Sequence, residues 1–298
     1  MDALNPEPRT LTPIQERILA WYGEHGRDLP WRRTRDPYHI LVAEVMLQQT
    51  QVERVLPKYH QWLEAFPTLQ ALAGAPTADV IRLWTPLGYN GRAIRLKRVA
   101  GRCVEQFGGQ MPASFEELRE LAGVGRYTAG AIACFAYEQQ VAFWDTNVRR
   151  VLSRLFRGHD AELPERDLEA LAAEALPAGQ AYDWHQALMD LGATICPARN
   201  PRCDLCPAVD LCAAHPAVLF AQPRIAERKA KYQAQRFETT NRYFRGRIVD
   251  ALREHSPLST ADLTLKLGRD DPDWLQGLVA GLERDGLLVR QGNCVSLP

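Results

Sequence analysis

The sequence predicts an all-α fold for most of the chain, on three observations. Short segments with apolar residues at helical spacing follow one another from residue 13 onwards, and proline or glycine separates them. Between residues 57 and 107 these segments are brief, which is typical of a compact helical bundle. Strand-like patterns are confined to residues 287–297, where two short apolar runs flank a glycine and indicate a small wing.

Composition sets the limits for the rest of the interpretation. A chain of 298 residues with 46% hydrophobic and 24% charged residues indicates a soluble globular protein with room for two or three domains. We expect a cytoplasmic protein without a membrane partner, because the first ten residues lack signal-peptide features and no apolar run reaches a membrane span. The net charge of zero argues against a broad electrostatic nucleic-acid binder. Any binding of a nucleic acid would then depend on local basic clusters at residues 92–98 and 224–247. The alternative is that these clusters are simply solvated helix faces.

Among the first elements, the second helix carries the candidate chemistry. Residues 13–25 are expected to form a helix, and Tyr38–Gln51 a second one. Glu44, Gln48 and Gln51 recur at i, i+4 and i+7, so an unbroken helix would place them on one stripe. A carboxyl at the rim of an apolar helix face would have a raised pKa, which suits a proton donor near neutral pH. The alternative is a glutamate that points into water.

A tight glycine turn joins two predicted helices further along. It consists of Gly123, Val124 and Gly125, follows the helix at residues 115–121, and precedes a helix that starts at Arg126. The free N–H groups at the start of that helix could bind a phosphate. An ordinary bend between two helices is the alternative.

Asp145 follows an apolar run and precedes the predicted helix Asn147–Phe156. By default such an aspartate is an N-cap and nothing more. Further helices are expected at Arg166–Ala175 and Tyr182–Gly192.

Four of the seven cysteines fall in one short stretch with the spacing C-x6-C-x2-C-x5-C. They are Cys196, Cys203, Cys206 and Cys212. Disulfides are disfavoured in a reducing compartment, which leaves a metal site. Spacing alone does not distinguish a zinc ion from an iron-sulfur cluster. The same loop carries Arg199, which could approach a phosphate.

The C-terminal region differs in composition from the rest. Residues 217–240 are predicted to be a basic linker, and residues 241–298 a winged-helix-like domain with helices at Arg247–His255, Ser259–Leu267 and Asp273–Asp285. The third helix is acidic, which makes it a poor recognition helix for a major groove. A packing or protein-contact role suits it at least as well.

The glycine turn, the helix after it and an aspartate about twenty residues downstream resemble the helix-hairpin-helix (HhH-GPD) DNA glycosylase superfamily, over residues 12–212. The resemblance implies a two-domain helical fold with a cleft between the domains. Residues 37–142 would form a six-helix barrel, and residues 1–36 with 143–216 an iron-sulfur helical domain. The cysteine spacing matches the ligands of the 4Fe-4S cluster in endonuclease III and MutY, so the resemblance implies that cofactor.

The run EVMLQQTQV resembles the MutY-type adenine-specific branch in particular. In that branch Glu44 would protonate adenine, and Asp145 would stabilise the sugar cation with help from Asn147. Tyr127 stands where lyase members carry a lysine, which implies a monofunctional enzyme that leaves an intact abasic site. The partner would be double-stranded DNA with a mismatched or damaged base pair, bound by a monomer. Its contacts would come from Gln48, Gln49, Gln51, Asn90, Gly123, Val124, Gly125, Arg126 and Arg199.

Three departures from the MutY pattern bear on the substrate. Asn90 and Gly91 stand where a Tyr-Ala pair is usual, Ala122 replaces a hairpin proline, and no large Nudix-like domain follows the cysteines. The main hypothesis is hydrolysis of adenine mispaired with guanine or 8-oxoguanine. A uracil or thymine glycosylase acting on mismatches with guanine is the first alternative. A non-catalytic iron-sulfur DNA-binding regulator is another, but it would leave Glu44 and Asp145 at matching positions by coincidence.

Overall fold

The structure is a computed structural model, and it describes residues 11–158, 163–217 and 237–298. Within these ranges the chain is mainly helical, so the all-α prediction is confirmed. None of the helices there is both long and apolar enough to span a bilayer. The helices are α1 (Pro13–His25), α2 (Pro37–Leu47), α3 (Val52–Ala65), α4 (Leu69–Gly74), α5 (Thr77–Leu83), α6 (Gly91–Gln106), α7 (Phe115–Glu120), α8 (Arg126–Tyr137), α9 (Thr146–Arg157), α10 (Glu165–Glu174), α11 (Ala181–Thr194), α12 (Asn241–Glu254), α13 (Thr260–Leu267) and α14 (Pro272–Arg284).

The chain divides into two compact units, and the first contains residues 11–40, 113–119, 125–158 and 163–217. In its core α11 packs against α1 and α9, through side chains that include Ile18, Val151 and Leu188. Asp190 of α11 is fully buried and is paired with Arg32 and Arg27. Burial alone would raise the pKa of Asp190, but these guanidinium groups hold it below its usual value. The N-terminal segment is thereby tied to α11.

The second unit contains residues 41–112, 120–124 and 237–298. Helices α3 to α6 pack around buried aromatic side chains, and the indole of Trp62 lies edge-on to Trp84 and Phe66. Such edge-to-face contacts are the preferred arrangement of aromatic rings in a core. The brief segments expected from the proline and glycine punctuation are therefore real helices that share one apolar interior.

The C-terminal domain belongs to this second unit, and its winged-helix-like character is confirmed. Its sheet has three strands rather than the two expected, because β1 (Leu258–Ser259) adds to β3 (Cys294–Ser296), which also pairs with β2 (Val289–Gln291). The first helix, α12, begins at Asn241 and not at Arg247, since the Thr240 side chain caps it. Of the predicted linker, residues 218–236 lie outside the described ranges.

Candidate active site

Glu44 lies in the middle of α2 and is only 6% exposed. Its neighbours along the helix, Leu41, Val45 and Met46, are almost fully buried as well, so Glu44 lies on a buried part of α2. The alternative of a glutamate that points into water is therefore wrong. A buried carboxyl of this kind is unusual in a folded protein and marks a functional candidate.

The glutamines that follow Glu44 do not continue its helix. Helix α2 ends at Leu47, Gln49 adopts a left-handed backbone conformation with φ 55°, and Gln51 precedes α3. The expected stripe of Glu44, Gln48 and Gln51 on one helix face is therefore wrong. A residue with positive φ cannot be accommodated in an α-helix, so Gln48, Gln49 and Gln51 lie on a short loop. Gln49 and Gln51 are exposed there.

Arg92 of α6 explains why this loop has a defined shape. Its guanidinium is buried and donates to the carbonyl oxygens of Val45 and Met46, which the end of α2 leaves without helical partners. Burial lowers the pKa of Arg92 to about 10, so the group stays charged at neutral pH. Its further acceptors are the carbonyls of Gln48, Leu87 and Gly88 and the Thr50 hydroxyl. Sequence inspection placed Arg92 in a basic surface cluster, and that placement is wrong.

Two other members of that cluster are also engaged within the second unit. Lys97 donates to the carbonyls of Ala73 and Ala75. Arg95 donates to the Gln48 side chain over 3.3 Å, and its aliphatic stem lies against the glycine turn. A Cβ at Gly123, where φ is 106°, would stand 2.4 Å from Arg95 Cγ. Only glycine suits both the backbone conformation and this close approach.

In the first unit, α8 begins at Arg126 with Gly125 as its N-cap, and no side chain caps this end. The exposed Gly125 and the helix dipole are compatible with the predicted phosphate site. The Arg126 side chain pairs with Glu169 and stacks on Trp144, with 4.7 Å between its Cζ and the ring centroid. Val124, which precedes this helix, is buried in the second unit.

Asp145 is the N-cap of α9, as expected from the sequence. Its Oδ1 accepts from the backbone N–H groups of Asn147 and Val148 at 2.9 and 2.7 Å, and its Oδ2 accepts from Asn147 Nδ2 at 3.2 Å. Burial raises the pKa of Asp145 above its ordinary value, although these hydrogen bonds oppose the shift. Asp145 is therefore partly shielded from water while it caps the helix.

The segment that leads into Asp145 is packed closely on α8. A Cβ at Gly130 would lie 2.5 Å from the Cβ of Phe143, so glycine is required for this approach. Phe143 is edge-on to Tyr127 at 5.7 Å and stacks on His185 at 3.9 Å. Burial lowers the pKa of His185 to about 4, so the ring is neutral and its Nε2 donates to the Val141 carbonyl. Neither His185 nor Gly130 carried a sequence signal beyond an apolar neighbourhood.

A chain of hydrogen bonds runs from Asp145 to the cysteine loop. Asn147 donates to Asp145, and its Oδ1 accepts from Arg150 Nη2 at 2.9 Å. Arg150 also donates to the carbonyls of Gly192 and Cys196 at 2.8 and 2.9 Å. Arg150 was visible in the sequence only as one of three arginines on a predicted helix. The structure makes it the link between the carboxylate and the cysteines.

The four clustered cysteines line a single cavity together with Arg154, whose Nη1 lies 3.3 Å from the sulfur of Cys196. All four are free thiols. Burial raises the pKa of Cys206 to about 11, so thiolates here need a positive partner, which iron or zinc would supply. The donor set therefore fits a thiolate-bound metal group. In the part of the chain that the structure describes, no set of three histidine, cysteine or acidic side chains is placed to hold a single metal ion. Arg199 is exposed on the same loop.

The chain is similar to several known DNA repair proteins. The HhH-GPD superfamily base excision DNA repair protein model matches residues 42–177. An adenine DNA glycosylase of Mycolicibacterium smegmatis is 40% identical over 282 residues, which are 94% of this chain and 93% of the relative. One of Mycobacterium tuberculosis is 42% identical over 271 residues, or 88% of this chain and 87% of the relative.

Among solved structures, a thermostable thymine-DNA glycosylase superposes with a TM-score of 0.64 at 32% identity. The match covers 67% of this chain and 94% of that protein. The range that the family model matches, residues 42–177, includes the glycine turn and Asp145. The chain therefore belongs to the HhH-GPD superfamily of base excision DNA repair proteins, with adenine DNA glycosylases among its relatives.

Proposed function

We propose that the chain is an adenine DNA glycosylase that hydrolyses the N-glycosidic bond of adenine mispaired with guanine or 8-oxoguanine. The observation that carries the proposal is the 40% identity to an adenine DNA glycosylase over 94% of the chain. An alignment of that length includes most of residues 241–298, so a short C-terminal domain also occurs in a relative of that name. The small size of residues 241–298 is then no argument against adenine.

Glu44 is the proposed general acid. Cleavage of the bond needs the nucleotide to be flipped out of the duplex and the leaving base to receive a proton. In this proposal the carboxyl of Glu44, a residue that is 6% exposed, carries the proton that the leaving base receives. It can also donate that proton to a base that displaces water from around it.

Asp145 is the proposed stabiliser of the sugar. A glycosidic cleavage passes through an oxocarbenium-like state, and a carboxylate beneath the ring lowers its energy. The hydrogen bonds from Asn147 and Val148 fix the orientation of the carboxylate before the substrate arrives. Such preorganised electrostatics cost no rearrangement during the reaction. Asn147, held by Arg150, would also orient the attacking water.

Tyr127 makes the enzyme monofunctional in this proposal. Its ring packs edge-on to Phe143, two residues before Asp145. A phenol cannot form the Schiff base through which an amine opens the sugar. The product is then an intact abasic strand. Efficient strand cleavage that borohydride can trap would contradict this part of the proposal.

The DNA contacts in the proposal come from three loops and a helix start. The loop of Gln48, Gln49 and Gln51 would probe the duplex around the lesion, Asn90 the opposite strand, and the turn from Gly123 to Arg126 a phosphate. Arg199 would bind a second phosphate. These contacts would fix the position of the DNA on the protein. They would also explain how a protein with a net charge of zero binds DNA.

A 4Fe-4S cluster on Cys196, Cys203, Cys206 and Cys212 completes the proposal. The family spacing favours it over zinc, and the four cysteines share one cavity. When bound, the cluster would hold the loop whose Cys196 carbonyl accepts from Arg150. It takes no part in the chemical step.

The deciding experiment uses full-length protein and four duplexes, with A opposite 8-oxoguanine, A opposite G, U opposite G and T opposite G. The proposal predicts free adenine and an intact abasic strand from the first two, and no base release from the others. Release of uracil or thymine without adenine would favour the mismatch-specific alternative. Tight DNA binding without release of any base would favour the non-catalytic regulator.

A further inference from the structure

The C-terminal domain shares its apolar core with helices that precede the Tyr89–Asn90 loop and follow it. Ile81 of α5 and Ile94 of α6 are buried together with Ile248, Leu252 and the other core residues of the domain. The backbone N–H of Ala78 donates to the carbonyl of the last residue, Pro298, at 2.9 Å. All of these residues belong to the second unit. The domain is therefore fixed to the two helices that connect through this loop.

Arg253 of α12 reaches the loop directly. Its guanidinium donates to the Ile81 carbonyl at 3.0 and 3.1 Å and to the Asn90 Oδ1 at 2.8 Å. The side chain is 11% exposed, so these bonds are largely shielded from water. Asn90 itself starts α6 without any side-chain cap bond. The Asn90 side chain is thus oriented by a residue of the C-terminal domain.

Arg242, at the start of α12, covers the neighbouring tyrosine. Its Cζ lies 3.9 Å from the centroid of the Tyr89 ring, which is a favourable cation-π distance. Tyr89 has a φ of 46° and remains 39% exposed. Arg92 lies 5.4 Å from the same ring. An exposed aromatic side chain on a constrained backbone is therefore held between two arginines.

Three other arginines of the domain pair with its own acidic side chains. Arg245 pairs with Asp285, Arg269 with Asp271, and Arg290 with Glu283. Helix α14 has the position of the recognition helix in winged-helix proteins, and it carries Asp273 and Glu283, with Asp271 and Asp285 as its caps. Arg242 and Arg253 also reach one loop of the helical bundle, and Arg253 does so while it pairs with Asp250 of its own helix.

We propose that residues 241–298 act as a positioning domain for the Tyr89–Asn90 loop, through Arg253 and Arg242, and so set how well the protein distinguishes the base opposite the excised one. The inference rests on the proposed function, in which Asn90 contacts the opposite strand. Neither arginine touches the reacting atoms in this scheme. Both act through the loop, which the rest of the chain leaves partly exposed.

The test measures affinity for duplexes with a tetrahydrofuran abasic analogue opposite guanine or opposite cytosine. No catalysis is needed for this readout. Asn90→Ala and Arg253→Met should each reduce the guanine-to-cytosine preference by about tenfold, the scale of one charge-assisted hydrogen bond. The double variant should lose no more than either single variant, because both remove the same contact. Arg242→Ala, at an exposed residue outside the core, should weaken the preference in the same direction.

Arg269→Ala, in the same domain but away from the loop, is the matched control and should keep the wild-type preference. Additive losses in the Asn90 and Arg253 pair would overturn the inference, as would an unchanged preference in Arg253→Met or an equal loss in the control. Thermal melting of each variant identifies losses that come from unfolding. Adenine release by the wild type is measured separately, so a failure of the proposed function is recognised independently.

Discussion

Replacing Asp145 by asparagine or alanine separates helix capping from catalysis. The carboxylate accepts from two backbone N–H groups at the start of α9, so it acts as an N-cap. Asparagine is as good a cap as aspartate, whereas alanine loses about 0.5–2 kcal/mol. In a protein of this size that loss lowers the melting temperature by a few degrees. Asp145→Asn keeps both backbone bonds and loses only the one from Asn147 Nδ2, since two amide donors would then face each other.

The capping hydrogen bonds of Asp145 stabilise the folded protein, whereas the negative charge of its partly buried carboxylate destabilises it. Burial raises its pKa, so the folded state binds the proton more tightly than the unfolded state does. The stabilising contribution of this proton is fully present below the unfolded pKa of about 4 and is lost as pH rises through the folded pKa. The melting temperature of Asp145→Asn should therefore rise relative to wild type between acidic and neutral pH. Above the folded pKa the difference should become constant.

The Asp145 substitution that preserves stability should still lose activity. A preorganised electrostatic group contributes about 10²- to 10³-fold to a rate, so Asp145→Asn should release adenine at least about 100 times more slowly in single turnover. Its affinity for the duplex should stay within about threefold of wild type, a margin below 1 kcal/mol. Asp167→Asn, at an exposed acid in the first turn of α10, is the control and should behave as wild type. Nearly normal adenine release by Asp145→Asn would refute the catalytic role and leave Asp145 as a cap.

Three further predictions concern the support of the site. Arg92→Met leaves several buried carbonyls without donors, so it should lower the free energy of unfolding by about 3 kcal/mol or more. The melting temperature should fall by about 6–12 °C. A melting curve like that of the wild type would contradict the role of Arg92. Gly130→Ala forces Phe143 away from α8 and should displace Asp145, which follows Phe143 closely in the chain. It should therefore slow adenine release more than it weakens duplex binding. Equal effects on release and binding would argue against a displacement of Asp145. Cys203→Ser should abolish the visible absorbance and iron content of the purified protein, whereas Cys294→Ser in β3 should keep both; iron-free wild type containing zinc would overturn the cluster assignment.

Features that depend on nearby residues could be predicted from the sequence. The helices of the first unit begin and end within a few residues of the expected positions, because caps and apolar spacing are local properties. Asp145 was expected as an N-cap and is one. The wing at the C-terminus was expected as well, although the short strand Leu258–Ser259 is too brief to carry a pattern.

Features set by long-range contacts could not be predicted in this way. Helix α2 ends at Leu47 because Arg92, more than forty residues later, takes up its last carbonyls, and a periodic pattern cannot contain that information. For the same reason the sequence could not predict the contact between Arg253 and Asn90, which are 163 positions apart. Basic residues in a cluster look alike in sequence whether they bind DNA or the chain itself. Burial distinguishes them only once the fold is known.

Adenine release by Glu44→Gln, measured in single turnover on a duplex with A opposite 8-oxoguanine, tests the central claim most directly. Proton donation contributes about 10²- to 10⁴-fold, and glutamine keeps the shape of the side chain without the proton. The account predicts a loss of at least about 100-fold in Glu44→Gln, with unchanged DNA affinity and unchanged release by Glu53→Gln, at an exposed acid of α3. Release by Glu44→Gln within threefold of wild type would contradict the account.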